Sequence, residues 1–247
     1  LTLQGQLGVG MAEQRITFAG LTPALGQILT EGAPGDLQLP TLRHVFFVGE
    51  SLARTDVARL RRLAPNVTCF NTYGAAETQR ADSYFLIPPE AQEAPHKATY
   101  PLGRGLSDAQ LLVLNGVDGL AGIGELGELV MRSPHLALGY LGDGALTRAR
   151  FVANPFTQGH GDRLYRTGDL GRFLPDGNVE YAGRADRQTK VRGFRIEPAE
   201  IETLRKQLDQ NPGNALLRMS VIDAYLGVLD DPAAAERLLN ADVSEAY

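Results

Sequence analysis

Cysteine is almost missing from this 247-residue chain: Cys69 stands alone. An internal disulfide framework and a cysteine-rich zinc site are therefore excluded, which predicts a reducing, cytoplasmic setting. Flanked by Val67, Thr68 and Phe70, Cys69 reads as a small buried hydrophobe on a strand. The four histidines, His44, His96, His135 and His160, show no metal-ligand spacing and give zinc catalysis little support. No Gly-x-Ser-x-Gly stretch announces a serine nucleophile. A basic excess is lacking as well. Lys and Arg total 24 against 29 acidic residues, a net charge of -5, so nothing general attracts nucleic acid or an anionic membrane. No apolar run reaches the length of a membrane span, and the first residues lack a basic start followed by an apolar core. Partners have to be recognised at local sites.

What is present is globular in balance, 43% hydrophobic and 21% charged, enough for one large core or two smaller ones. From residue 15 to 71 short apolar runs ("RITFAG", "LRHVFFVG", "NVTCFN") alternate with amphipathic segments ("PALGQILTEG", "TDVARLRRLAP"). That alternation predicts βαβ units on a parallel sheet over residues 1 to 87, with "VFFV" a strand covered on both faces. "PPEAQEAPHKATYP", residues 88 to 101, carries four prolines and reads as a loop. It opens a mostly antiparallel β region to residue 185, with strands at "QLLVLN", "GELVMR", "RLYRTG" and "NVEYAG" and a hairpin turn at Asp176-Gly177. The glycine-rich "GVDGLAGIGELGE" lacks a preceding strand and a following helix, so it reads as turns rather than a dinucleotide fingerprint. Residues 186 to 202 form a hinge and hairpin. Residues 203 to 247 are helical: their patterns fit either one tetratricopeptide-like hairpin or a plain helical cap.

Two stretches carry charge beside glycine. In "FNTYGAAETQRADSYF" a buried strand ends at Asn71 and opens into Gly74, Ala75 and Ala76, small residues that let backbone amides approach a ligand, with Glu77 beside them. A carboxylate there suits a magnesium-bound phosphate, because the metal takes hard oxygen ligands; a structural turn explains the same residues. In "YRTGDLGRFLPDG" the Asp169 carboxylate can face outward at a strand end and accept from a vicinal diol such as a ribose. Fifteen residues on, "GRADRQTKVRG" offers Arg184 and Asp186, then Lys190 and Arg192 on one strand face. A solvated, charge-laced hairpin is the plainer alternative.

Four motifs in order carry a resemblance: Asn71 to Glu77, "GELVMRSPHLALGYLG" (127 to 142), "YRTGDLGRFLPDG" (165 to 177) and "GRADRQTKVRGFRIEPAEIE" (183 to 202). From about residue 15 to 205 the chain resembles an adenylation domain of a nonribosomal peptide synthetase, within the superfamily of adenylate-forming ligases. "LTPALGQIL", "FFVGESL" and "AETQRADSYF" are most similar to the adenylation domains of α-aminoadipate reductases. The resemblance implies an α/β fold: the C-terminal part of the adenylation core, a hinge and a helical tail. It implies ATP and magnesium as cofactors, attack of a substrate carboxylate on the α-phosphorus, and transfer of the acyl group to a phosphopantetheine thiol on a carrier-protein domain. Other synthetase domains would be further partners.

By position, the resemblance places Asp169 on the ribose hydroxyls with Arg184 assisting, Tyr73 against the adenine, and Asn71 near its edge. Gly74 and Ala76 would border the phosphates, Glu77 would hold magnesium, and Asp186 would be the pivot of the C-terminal lid. The acid pocket would be walled by Gly20, Phe46, Val48, Thr72, Arg80 and Ala81. Arg80, a cation facing that pocket, implies a carboxylate-bearing or electron-rich acid; pairing of Arg80 with Asp82 or Glu77 is the alternative. The chain departs from the family at Ala76, where a Thr or Ser hydroxyl is usual, a loss of roughly 1 to 3 kcal/mol if a phosphate oxygen goes unpaired. The phosphate loop and the lid lysine have no counterpart, so a partial adenylation domain is expected. Two other readings remain open: a fragment of an acyl- or aryl-CoA ligase, and a catalytically silent remnant acting through its helical tail.

Overall fold

A computed structural model describes residues 3–31, 33–89, 98–157, 159, 161–185, 189–191, 194–196 and 198–213, and singly 218, 221, 222, 225, 233 and 238. It divides into two compact units, Leu1–Ala185 and Asp186–Tyr247. The first unit opens with helix α1 (Leu3–Glu13), then strand β1 (Phe18–Leu21), α2 (Pro23–Glu31), β2 (His44–Phe47), α3 (Arg54–Leu63) and β3 (Thr68–Gly74). Local chemistry starts these helices where they start. Pro23 needs no amide partner at a first helical position, and the Thr22 hydroxyl accepts from the Leu25 amide at 3.2 Å. In α3, Asp56 lies in the first turn and Arg61 and Arg62 in the last, matching the helix dipole.

β1, β2 and β3 pair in parallel, with Gly20 opposite Phe46 and Phe46 opposite Phe70, as the alternation of runs predicts. β4 (Ala81–Leu86) and β5 (Arg104–Gly105) then extend this sheet antiparallel, so it is mixed rather than parallel throughout. β5 also carries the first sheet past the boundary expected near residue 88. One face is closed: Val45, Phe47 and Cys69 are fully buried in a core with Leu29, Leu42, Leu52, Val57 and Leu60. The other face is not, which corrects the expectation of a strand covered on both sides. Val48 is 36% exposed and Phe18 59%. The apolar "VFFV" run arises because Phe46 stacks on Phe70 at 4.5 Å and meets Phe18 at 4.9 Å, an aromatic row on the open face.

The second sheet is antiparallel, in the order β10-β9-β7-β6. Its strands are β6 (Gln110–Leu114), β7 (Gly127–Arg132), β9 (Arg163–Phe173) and β10 (Val179–Arg184), with β8 (Phe151–Ala153) on β9 after helix α4 (Gly144–Arg150). The Asp143 side chain accepts from the Leu146 amide at 2.8 Å and starts α4. The turn at Asp176-Gly177 joins β9 to β10, with Gly177 at φ 79. Leu111, Val113, Leu129, Met131 and Val179 bury together with Leu102 and Tyr73, so the end of β3 is packed into the core of the second sheet. This contact brings the two motif-bearing loops together.

In the second unit β11 (Thr189–Val191) pairs with β12 (Phe194–Ile196), and α5 spans Pro198–Gln210, so the helix begins ahead of the boundary expected at residue 203. Leu208, Val221, Ile222 and Tyr225 form its core. Asp186, Arg192, His96 and His160 lie outside the described residues, as do most positions of the expected helical pair.

Candidate functional site

β9 does not run evenly along β7. Glu128 pairs with Leu170 and Val130 with Arg166, which leaves Thr167, Gly168 and Asp169 opposite the single residue Leu129. The bulge turns the Asp169 carboxylate toward β3 and β10. The Tyr73 hydroxyl donates to its Oδ2 at 2.5 Å and the Arg184 Nη1 to its Oδ1 at 2.5 Å. Asp169 is 6% exposed. Burial first, and then the neighbouring Asp169 charge, push the Tyr73 phenol well above its ordinary range, so it stays a donor. The residues singled out at 73, 169 and 184 thus meet at one carboxylate.

Asn71 and Gly74 have internal duties. The Asn71 Nδ2 donates to the Pro101 carbonyl at 2.7 Å, tying β3 to the following loop. At Gly74 a Cβ would lie 2.3 Å from the Arg80 carbonyl oxygen, because β3 and β4 close on each other there. Beyond it a short 3-10 turn, Ala76–Thr78, carries Glu77, 7% exposed. Its Oε1 accepts from the Tyr140 hydroxyl at 2.6 Å, and its backbone carbonyl accepts from the Ala137 amide at 2.7 Å. Burial and then this hydrogen bond raise the Tyr140 phenol. The Thr78 hydroxyl accepts from the Ala75 amide at 3.1 Å and donates within the turn, supplying a hydroxyl in this loop although position 76 has none.

Gly20, Phe46, Val48 and Thr72 stand on the open face of the first sheet or at its end, and the Thr72 hydroxyl donates to the Phe47 carbonyl at 2.7 Å. Ala81 pairs with Gly74. Arg80 is engaged by carboxylates: Nε with Asp82 at 2.7 Å and Nη2 with Asp108 at 2.8 Å. Asp108 in turn lies 3.5 Å from His135 Nε2. Asp82 is half of the pairing weighed from sequence; Asp108, 28 residues away, had no signal there. Tyr140, Glu128 and Thr167 were also missed. Each sits in a quoted motif, but a tyrosine, a strand glutamate and a threonine carry no spacing that separates a supporting side chain from a surface one.

A bulged strand presenting a buried carboxylate with a phenol and a guanidinium, beside a glycine-and-alanine turn with a second carboxylate, is a donor set of the kind a nucleotide-binding α/β enzyme needs. Residues 6–141 match the family model described as AMP-binding enzyme, and the chain belongs to that family. L-2-aminoadipate reductase of Schizosaccharomyces pombe is 44% identical over 81% of this chain and 16% of its own length. Gramicidin S synthase 2 of Brevibacillus brevis is 38% identical over 77% of the chain and 4% of its length. This chain therefore spans a small part of these relatives. Among solved structures, an NRPS protein containing adenylation and PCP domains superposes with TM-score 0.70 at 30% identity, covering 83% of this chain and 40% of that one. A Vibrio cholerae adenylation domain in complex with glycyl-adenosine-5'-phosphate gives TM-score 0.68 at 26% identity, over 83% and 38%. The α/β adenylation-domain fold is thereby shown. No helix among the described residues is long and apolar enough to cross a membrane.

The donor set fits a nucleotide and one magnesium ion. A carboxylate accepts from sugar hydroxyls, and arginine and tyrosine donate to ribose oxygens. Among the described residues no group of three or more His, Cys, Asp and Glu could hold a metal. Magnesium at Glu77 would thus take one protein oxygen and complete its shell with phosphates and water, its common habit.

Proposed function

We propose that this chain carries part of the site for ATP-dependent activation of an amino or other carboxylic acid as its acyl-adenylate. Transfer to a phosphopantetheine thiol on a carrier domain follows. The observation that supports this is the convergence of Tyr73, Asp169 and Arg184 on one buried carboxylate. Asp169 would accept from the ribose hydroxyls, with Arg184 fixing the carboxylate through Oδ1 and Tyr73 closing the sugar's flank. The acid's carboxylate oxygen bonds to the α-phosphorus as the bond to the pyrophosphate oxygen breaks. In transfer, a deprotonated thiol attacks the acyl carbon, and AMP leaves with the electron pair of the acyl–oxygen bond. Both reactants of the first step are anionic, so positive charge at the phosphates lowers its barrier. Magnesium held by Glu77 supplies that charge when bound.

A dicarboxylic acid is the reading that the relatives support. One is named for 2-aminoadipate, a dicarboxylic amino acid, and Arg80 is a half-exposed cation just ahead of β4, paired with Asp108. An acid with a second carboxylate could exchange with Asp108 on that guanidinium. Carrier transfer is supported by the neighbour that contains adenylation and PCP domains.

The test is magnesium-dependent ATP binding by this protein, followed by pyrophosphate exchange over a panel of amino, dicarboxylic and aryl acids. Binding lost in Asp169→Asn, with exchange driven by an amino acid, is expected. ATP binding undiminished by Asp169→Asn would overturn the reading, and exchange driven by aryl acids alone would move it to a CoA-ligase fragment.

A further inference from the structure

We infer that Glu128 and Thr167 are positioning residues that hold the Thr167-Gly168-Asp169 bulge open so that the Asp169 carboxylate meets the sugar of a bound nucleotide. The inference deepens the proposed function and rests on the ribose role given there to Asp169.

A three-against-one mismatch in a ladder strands backbone groups that an even pair would satisfy. Three of those at this bulge have substitutes. The Gly168 amide donates to Glu128 Oε1 at 3.1 Å. The Asp169 amide donates to the Thr167 hydroxyl oxygen at 3.0 Å, and that hydroxyl donates to the Leu129 carbonyl at 2.7 Å. The Gly168 carbonyl accepts from the Ala185 amide at 2.9 Å. Gly168 itself sits at φ 77, the left-handed region that a side chain disfavours.

Glu128 does two jobs at once. While Oε1 takes the Gly168 amide, Oε2 takes Arg166 Nε at 2.9 Å and Nη2 at 2.5 Å. The Arg166 Nη1 continues to Asp118 at 2.8 Å. The residue before the bulge and the residue at its apex are therefore clamped by one carboxylate from the neighbouring strand. Thr167, 3% exposed, spans the bulge from the inside. Without either, the ladder can slip toward even pairing; closing a three-against-one mismatch moves β9 by two residues, about 6.5 Å along β7, which draws the Asp169 carboxylate away from Tyr73 and Arg184.

The test compares AMP with 2',3'-dideoxy-AMP by calorimetry on the full chain, for wild type, Asp169→Asn, Glu128→Ala, Thr167→Val and Thr167→Ser, with hydrogen exchange of the Gly168 amide alongside. Wild type should prefer AMP by about tenfold or more, the worth of a charge-assisted hydrogen bond. Glu128→Ala and Thr167→Val should bring the ratio below about threefold and speed Gly168 exchange, while Thr167→Ser keeps both near wild type. A purely structural role would lower the melting temperature and leave the ratio intact. Should Glu128→Ala not fold, the Thr167→Val and Thr167→Ser pair decides alone. If Asp169→Asn abolishes the preference but Glu128→Ala and Thr167→Val retain it, the positioning assignment is overturned and the ribose reading stands. If wild type shows no preference, the ribose reading falls, and this inference with it.

Discussion

At position 169 a carboxylate is met by a guanidinium and a phenol; at position 80 a guanidinium is met by two carboxylates. The first cluster balances its charge and is shut from water, with Asp169 6% exposed. The second carries one acid in excess and is half open, its Arg80 and Asp108 side chains 39% and 46% exposed. In the low dielectric of the first, each partner is indispensable, since a buried charge left alone is costly. Around the second, water reaches the outer contact between Arg80 and Asp108, so that partner can exchange while the buried Asp82 stays. Equal charge density in a sequence thus conceals a buried, fixed cluster in one place and a replaceable outer contact in the other.

Removing one acid from each cluster probes that contrast most strongly. Asp169→Ala leaves Arg184 and the Tyr73 hydroxyl without their shared acceptor, and the expected loss is about 3 to 5 kcal/mol in chemical denaturation. Asp108→Ala should leave the midpoint where it was. Equal losses would erase the distinction. Next in size is Gly74→Ala, at the root of both clusters. The new methyl would meet the Arg80 carbonyl oxygen at 2.3 Å, backbone against side chain, so the β3–β4 pair must part at a cost of about 2 to 3 kcal/mol.

Tyr73→Phe keeps the ring in the core and removes only the donor to Asp169, for about 1 to 3 kcal/mol. The pH dependence sharpens it. Because the folded phenol is raised above its unfolded value near 10, the unfolded chain releases that proton first. Stability is then fully present below about pH 10 and falls as the pH rises beyond it, and Tyr73→Phe should flatten that alkaline slope. Thermal unfolding between pH 8 and 11 measures it, and an unchanged slope would mean that Tyr73 ionises freely.

Much of this arrangement could be read from residue order. The parallel β1 to β3 run follows from apolar stretches alternating with amphipathic ones, and the turn at Asp176-Gly177 from a dipeptide that favours it. Tyr73, Asp169 and Arg184 stood in motifs whose order marks the family, and the structure joins them. What escaped depends on register and on which face is covered. Whether "VFFV" is buried on one side or both is invisible to a hydrophobic count, because an aromatic row is as apolar as a core. The three-residue bulge in β9 is invisible too, because Glu128 and Gly168 are 40 residues apart and neither marks a ladder mismatch by itself. Asp108 lies in a polar turn that reads as solvated surface, yet it closes on Arg80 from 28 positions away.

The smallest effect expected is the most informative about the acid. In the resting site Asp108 occupies the position that a second substrate carboxylate would need on Arg80, and the nearby Arg80 guanidinium holds the Asp108 carboxyl below its usual range, so it is ionised at neutral pH. In the proposed pocket an acid with a second carboxylate would therefore have to displace a like charge, whereas one with a neutral side chain would not. Asp108→Asn keeps the shape, weakens the competitor, and leaves Asp82 to hold the guanidinium at 2.7 Å. The KM for a dicarboxylic amino acid in pyrophosphate exchange should fall about two- to fivefold, within the range of one exposed ion pair, while that for a neutral amino acid stays constant. A parallel fall for both acids would mean that Asp108 restrains the loop rather than the substrate, and the cluster at Arg80 would then be as structural as the one at Asp169.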